Sequence, residues 1–189
     1  MATPISARKL DLLYLVFFVI HIPIMLLVDL NPLYTNYLQS AKDPSVSTSS
    51  ISSFASNVTA KGSALRTYYA DAYQDKFFLD PPAWFTIYIW LEAVYHLPLS
   101  IWAIGALIRD DHRVPLQLLL FAAEAGLTTL TCVAEMLSWT HINADGKWKL
   151  AGVYVPYLAL ALLMGSDMYL RITRSLEKGD DLARRHKTR

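Results

Sequence analysis

The chain has 189 residues, of which 54% are hydrophobic and only 17% charged, with a formal net charge of +1. That composition lies outside the range of soluble domains, which run near a quarter charged residues. The charge argues against a nucleic-acid partner, since no basic face is available to neutralise phosphates. The single Cys132 rules out an intrachain disulfide framework and a multi-cysteine metal site. It lies in an apolar stretch and reads as a buried structural thiol.

In chain order, the first long apolar run is "LDLLYLVFFVIHIPIMLLV", from Leu10 to Val28. Arg8 and Lys9 ahead of it fit a signal-peptide template, but no A-x-A-like cleavage site follows, so a retained first helix over 10–29 is expected. A long connection over about 30–82 comes next. Its middle, "SVSTSSISSFASNVTAKGS", is Ser/Thr-rich and reads as a flexible loop, with an N-x-T sequon at Asn57. The following "ALRTYYADAYQDKFF" reads as a short helix near the membrane surface, and "DPPAWF" turns the chain into a second apolar helix over 83–107, with Trp84 at interfacial depth. Third and fourth runs are expected over 114–137 and 150–172, before a basic tail over 173–189.

A bilayer core takes about 20 helical residues to cross. Four such runs leave too little polar chain to cover them in water. The expected fold is all-α, a polytopic four-transmembrane-helix bundle forming a single domain. Orientation follows from lysine and arginine in the loops. With the N-terminus cytosolic, that side holds Arg8, Lys9, Arg109, Arg113 and the tail residues Arg171, Arg174, Lys178, Arg184, Arg185, Lys187 and Arg189. This is the larger share, so both termini are expected in the cytosol and Asn57 on the lumenal side. The ending "RRHKTR" is similar to a basic endoplasmic-reticulum retrieval signal, and equally reads as an ordinary juxtamembrane tail.

An ionisable residue at the bilayer centre costs about 2.5–3.5 kcal/mol, so it faces the interior, pairs, or stays neutral. The candidates are Asp29, Glu92, His96, Glu124 and Glu135. Glu92 and His96 are four apart and share a helical face. Pro98 cannot donate to the Val94 carbonyl, which completes a polar patch. On pattern alone Asp29 reads as an interfacial terminus or a ligand acid, and Glu92 as a protonated structural carboxyl or a ligand acid. Glu124 and Glu135 share a face and could pair across helices. Tyr154 and Tyr157 flank Pro156 and read as aromatic packing at a kink. Thr128, Thr129 and Thr131 are residues that commonly bond back to their own helix. Asp167, with Arg171 four residues on, reads as an edge ion pair. The E-x-x-H pairs of di-iron bundles are absent, as are a nucleophile elbow and a phosphate-cradling loop, so no metal or cofactor is expected.

These residues together carry a resemblance. "HIPIMLLVDL", "YYADAYQD", "PPAWF", "LEAVYHLP", "TTL" and "VYVPYL" occur in the order found in the sigma-2 receptor family, four-helix endoplasmic-reticulum proteins with the EXPERA domain. "LPLSIW" is similar to a stretch of the emopamil-binding proteins, sterol Δ8–Δ7 isomerases that share the domain. The resemblance covers nearly the whole chain. It implies an amine-binding aspartate at Asp29, a glutamate hydrogen-bonded to it at Glu92, a structural aspartate at Asp75, a pocket threonine at Thr129 and pocket tyrosines at Tyr154 and Tyr157. His96 departs from the family pattern, which has glutamine there, and brings a proton shuttle or a changed pocket charge.

Two carboxyls in an apolar cavity do not both ionise, so Glu92 is expected to stay protonated and donate to Asp29. The resemblance thus implies a binder of sterol-like or cationic amphiphilic ligands in the endoplasmic-reticulum membrane, serving lipid or protein homeostasis. A homodimer is kept as a partner. A second reading is a sterol or terpenoid isomerase acting through Glu92, Asp29 and His96. A third is an adaptor or quality-control protein that aids mitochondrial precursors.

Overall fold

The computed structural model describes residues 4–40 and 50–187. Among these residues the secondary structure is helical throughout. Helix α1 spans Lys9–Ile24 and continues as a π-helical turn over Met25–Asp29. Helices α2 (Asn31–Ser40), α3 (Ser50–Tyr73) and α4 (Lys76–Leu79) follow. Helix α5 (Phe85–Leu91) passes through a second π turn, Glu92–His96, into α6 (Leu97–Arg109). Helices α7 (Val114–Ser138) and α8 (Ala144–Lys187) complete the chain.

Four stretches are long and apolar enough to cross a membrane: Lys9–Asp29, Phe85–Arg109, Val114–Ser138 and Ala144–Asp181. Their outward faces carry large apolar side chains such as Val19, Ile87, Val94, Leu127 and Leu162, all exposed. Continuous apolar exposure of this kind suits hydrocarbon and not water. The chain is a multi-pass all-α membrane protein, as its composition implies.

Two segments differ from the expectation. The Ser/Thr-rich stretch read as a flexible loop is helical from Ser50 onward, in the 24-residue α3; its first part, 45–49, lies outside the described residues. The short helix expected near the surface is the last part of α3 and then α4. Serine and alanine are tolerable helix formers, and α3 gains its stability from docking. Gly62 lies so close to the preceding elements that a Cβ there would stand 2.6 Å from the Leu27 carbonyl and 2.5 Å from the Asn31 amide nitrogen. The second difference is the basic tail, which remains helical, since α8 runs unbroken to Lys187.

The helices end for local reasons. Gln74 and Asp110 take left-handed backbone angles, φ 52° and 58°. Each stops the helix before it, the position usually given to glycine. Asn143 caps α8, its Oδ1 accepting from the Gly146 amide at 2.9 Å.

The chain falls into two compact units. One comprises the chain up to Leu15, Trp102–Trp139 and everything from Ala151. Its core includes Tyr14, Leu107, Leu118, Phe121, Met136, Met164 and Met168. Within it α7 and α8 approach through small residues: a Cβ on Gly165 would meet that of Ala122 at 3.5 Å, and one on Gly126 that of Ala161 at 3.8 Å. Asp11 is almost fully buried here. It pairs with Arg8 and, at 2.7 Å, with Arg171. Arg171 also holds Asp167 at 2.8 Å, and Tyr14 donates to Asp167 at 3.1 Å. Arg8 reaches Asp110 at 3.2 Å and the Leu107 carbonyl at 2.6 Å. The Asp167–Arg171 pair is therefore one edge of a network that satisfies a buried acid.

The other unit comprises Val16–Ile101 and Thr140–Leu150. Its core includes Phe18, Met25, Leu30, Phe77 and Ile89. An aromatic group at the entry to α5 stacks Phe77 on Phe85 at 4.7 Å, with Trp84 edge-on to both. His141 is bonded to the Gln74 carbonyl at 3.1 Å.

Candidate functional site

Asp29, Glu92 and His96 belong to the second unit, and all three stand on π turns. The first π turn ends on Asp29 and is closed by the Leu30 amide bonding the Met25 carbonyl at 2.9 Å. The second begins on Glu92 and ends on His96, with the Leu97 amide bonded to the Glu92 carbonyl. A π turn widens the helix by one residue and turns side chains out of the α register; such turns are rare and concentrate at functional sites. Proline lies beside each of them. Pro23 precedes the first by two residues, and Pro98 follows the second by two, at the second position of α6, where it cannot donate a backbone bond to the preceding turn.

The two turns share one apolar cluster. Met25, Leu30 and Ile89 are buried together, with Leu33, Tyr34, Phe85, Ala93 and Leu97 packed against them. Asp29 and Glu92 are each half-buried, while His96 is only 3% exposed. His21, one helical stretch before Asp29, is also buried and stacks on Phe17 with ring centroids 5.0 Å apart.

Asp29 has a cationic neighbour that the sequence reading did not single out. Arg66, on α3, donates to the carbonyl of Val28 at 3.2 Å, one residue from Asp29. Its guanidinium lies over the Phe78 ring at 4.3 Å from the centroid. Burial pulls the Arg66 pKa down from its ordinary value, and the negative charges of Asp29 and Asp75 oppose that pull. An arginine stays protonated regardless, so Arg66 is a fixed positive charge beside the acids. Three residues on, Tyr69 donates to Asp75 at 3.1 Å. Asp75 is fully buried and caps α4, its Oδ1 accepting from the Phe77 amide at 3.0 Å. Both carboxylate oxygens therefore hold structure. The three-residue spacing of Arg66 from Tyr69 places both on one helical face, but nothing in that spacing points to the end of α1.

Tyr34 and Asn31 complete the surroundings of the first π turn. Tyr34 donates to the Leu26 carbonyl at 2.9 Å, and Asn31 receives the Ser63 hydroxyl at 3.2 Å. Side chains from α2 and α3 thus satisfy carbonyls that the end of α1 leaves exposed.

Thr129, Tyr154 and Tyr157 belong to the first unit. Thr129 is buried, whereas its neighbours Thr128 and Thr131 bond back to the Glu124 and Leu127 carbonyls at 3.0 and 2.9 Å. Tyr154 and Tyr157 are half-buried on either side of Pro156 in α8. An apolar groove of about 470 Å³ between α7 and α8 is lined by Ala122, Ala161, Gly165 and neighbouring side chains, none of them charged. Cys132 is buried and takes part in no disulfide. Among the described residues no group of three metal-ligating side chains comes together.

The model of the EXPERA (EXPanded EBP superfamily) domain matches residues 62–168, more than half of the chain. The chain belongs to the EXPERA family. This EXPERA protein is 30% identical over 175 residues to the efficient mitochondria targeting-associated protein 19 of Schizosaccharomyces pombe, covering 91% of this chain and 81% of that one. It is 24% identical to the sigma intracellular receptor 2 of Xenopus tropicalis, covering 85% and 88% of the two chains. Against the human sigma intracellular receptor 2 the identity is 22%, over 87% and 89%. The resemblance drawn from the ordered motifs is thereby shown to be a family relationship.

Proposed function

We propose that this EXPERA protein holds a sterol-like or cationic amphiphilic ligand at an intramembrane acidic site in the endoplasmic-reticulum membrane. Asp29 and Glu92 meet the ligand's polar head there, in the service of lipid or protein homeostasis. One observation carries the reading: the two acids stand on π turns packed into the same apolar cluster. Polar groups converging on an otherwise apolar surround are what an amphiphile with a single polar end requires. Similarity to proteins named as intracellular receptors supports a binding role. The assignment of Thr129, Tyr154 and Tyr157 to ligand contact rests on the resemblance. The topology proposed has both termini cytosolic, from the distribution of lysine and arginine.

The test is to purify the protein and identify the lipid that copurifies, with Asp29→Asn as control. A single sterol-like species enriched on the wild type and lost from the variant supports the reading. Bulk membrane lipid on both sinks it.

A second reading is favoured by the placement of Glu92 and His96 at the two ends of one π turn. A carboxyl and an imidazole so placed can add and remove a proton across a double bond, which is isomerase chemistry. Rescue of cells lacking sterol Δ8–Δ7 isomerase, lost in Glu92→Gln, decides for it. A third, adaptor role in mitochondrial precursor handling draws on the name of the fission-yeast relative. It requires that Asp29→Asn leave the cellular phenotype intact.

A further inference from the structure

The acids of the proposed site come with a positive charge already in place. Arg66 is fixed from two sides, by its bond to the Val28 carbonyl at 3.2 Å and by the Phe78 ring at 4.3 Å. The close approach of α3 at Gly62, one helical turn before Arg66, sets the depth from which it reaches. Of the two acids that act on Arg66, Asp75 accepts from the Phe77 amide and the Tyr69 hydroxyl. Asp29 is the one of them that belongs to the proposed ligand site, one residue past the carbonyl that Arg66 bonds.

A carboxylate with its own counter-ion attracts a cationic ligand less than a lone one, because the incoming ammonium meets the guanidinium's repulsion as well as the carboxylate's attraction. An uncharged hydroxyl meets no such opposition. It can donate to the carboxylate while a neighbouring protonated acid or amide donates to it.

We propose that Arg66 sets the head-group specificity of this site, so that it takes an amphiphile ending in an uncharged hydroxyl in preference to the matching amine. The inference rests on the reading of Asp29 and Glu92 as a ligand site and narrows its ligand class. Arg66 is a specificity residue through charge, and its bond to Val28 also supports the end of α1, where a cation is favourable to the helix dipole.

The experiment compares a 3-hydroxysterol with its 3-amino counterpart on the purified full-length protein in nanodiscs. Wild type is expected to bind the hydroxysterol about tenfold tighter, a difference of about 1.4 kcal/mol. Arg66→Gln is expected to gain about tenfold for the amine while the hydroxysterol changes less than threefold. Arg66→Lys, which keeps the charge, is expected to retain the wild-type order. Amine preference in the wild type overturns the proposal, and so does identical behaviour of the Gln and Lys variants. If Arg66→Gln does not fold, the wild-type and Arg66→Lys preferences decide alone. Binding of neither sterol, or binding indifferent to Asp29→Asn, overturns the parent reading and this proposal with it. Binding that depends on Asp29 but not on the charge at residue 66 overturns the proposal only.

Discussion

Among single residues, Asp75 has its demands most fully met. It is completely buried, yet one oxygen caps α4 and the other receives the Tyr69 hydroxyl. Replacing it with alanine removes the cap and strands a half-buried phenol, which together cost about 2–4 kcal/mol. Tyr69→Phe removes one hydrogen bond and costs about 1 kcal/mol. Thermal unfolding in detergent should therefore rank wild type above Tyr69→Phe and Tyr69→Phe above Asp75→Ala; equal midpoints for all three would contradict the assignment. Residue identity alone showed Asp29, Glu92 and His96 as expensive polar groups in apolar runs. It could not show Arg66, whose importance depends on an approach between positions 37 apart in the chain. No local spacing encodes that approach.

At the scale of elements, α3 is the helix whose existence depends most on its neighbours. Its first half is rich in serine and threonine, which compete for backbone bonds and lower helix propensity. Its docking onto the end of α1 relies on the absence of a side chain at Gly62. Gly62→Leu places carbon where the Leu27 carbonyl and Asn31 stand. The helix must then shift, at a cost of about 1–3 kcal/mol or more. Limited proteolysis should cut the variant within Ser50–Tyr73 much faster than the wild type, and unchanged cutting would show that α3 does not depend on this approach. The segment read as a loop because its composition is polar, and the helix became visible only with its tertiary partners. The π turns were hidden for a related reason. A five-residue widening leaves no periodic trace in so short a stretch, although Pro98 marked the place where backbone bonding had to change.

For the whole molecule, the four spans were legible because length and scarcity of charge are one-dimensional properties that any bilayer-crossing helix must have. The family was legible for a different reason, since its motifs occur in a fixed order along the chain. An even number of crossings places both termini on one side, and the excess of lysine and arginine near them is the ground for proposing that this side is the cytosol. Epitope tags at the two ends should both be reached by antibody after selective permeabilisation of the plasma membrane. Detection of only one tag would require an odd number of crossings.

The central claim is that the two π turns form a ligand site. A photoreactive sterol bearing a diazirine and an alkyne handle, applied to the purified protein in nanodiscs, tests it most directly. Peptide mapping should place the label on Met25–Asp29 and Glu92–His96, and excess unlabelled sterol should remove it. Label confined to outward-facing residues such as Leu127 and Leu162, and unaffected by competitor, would contradict the account.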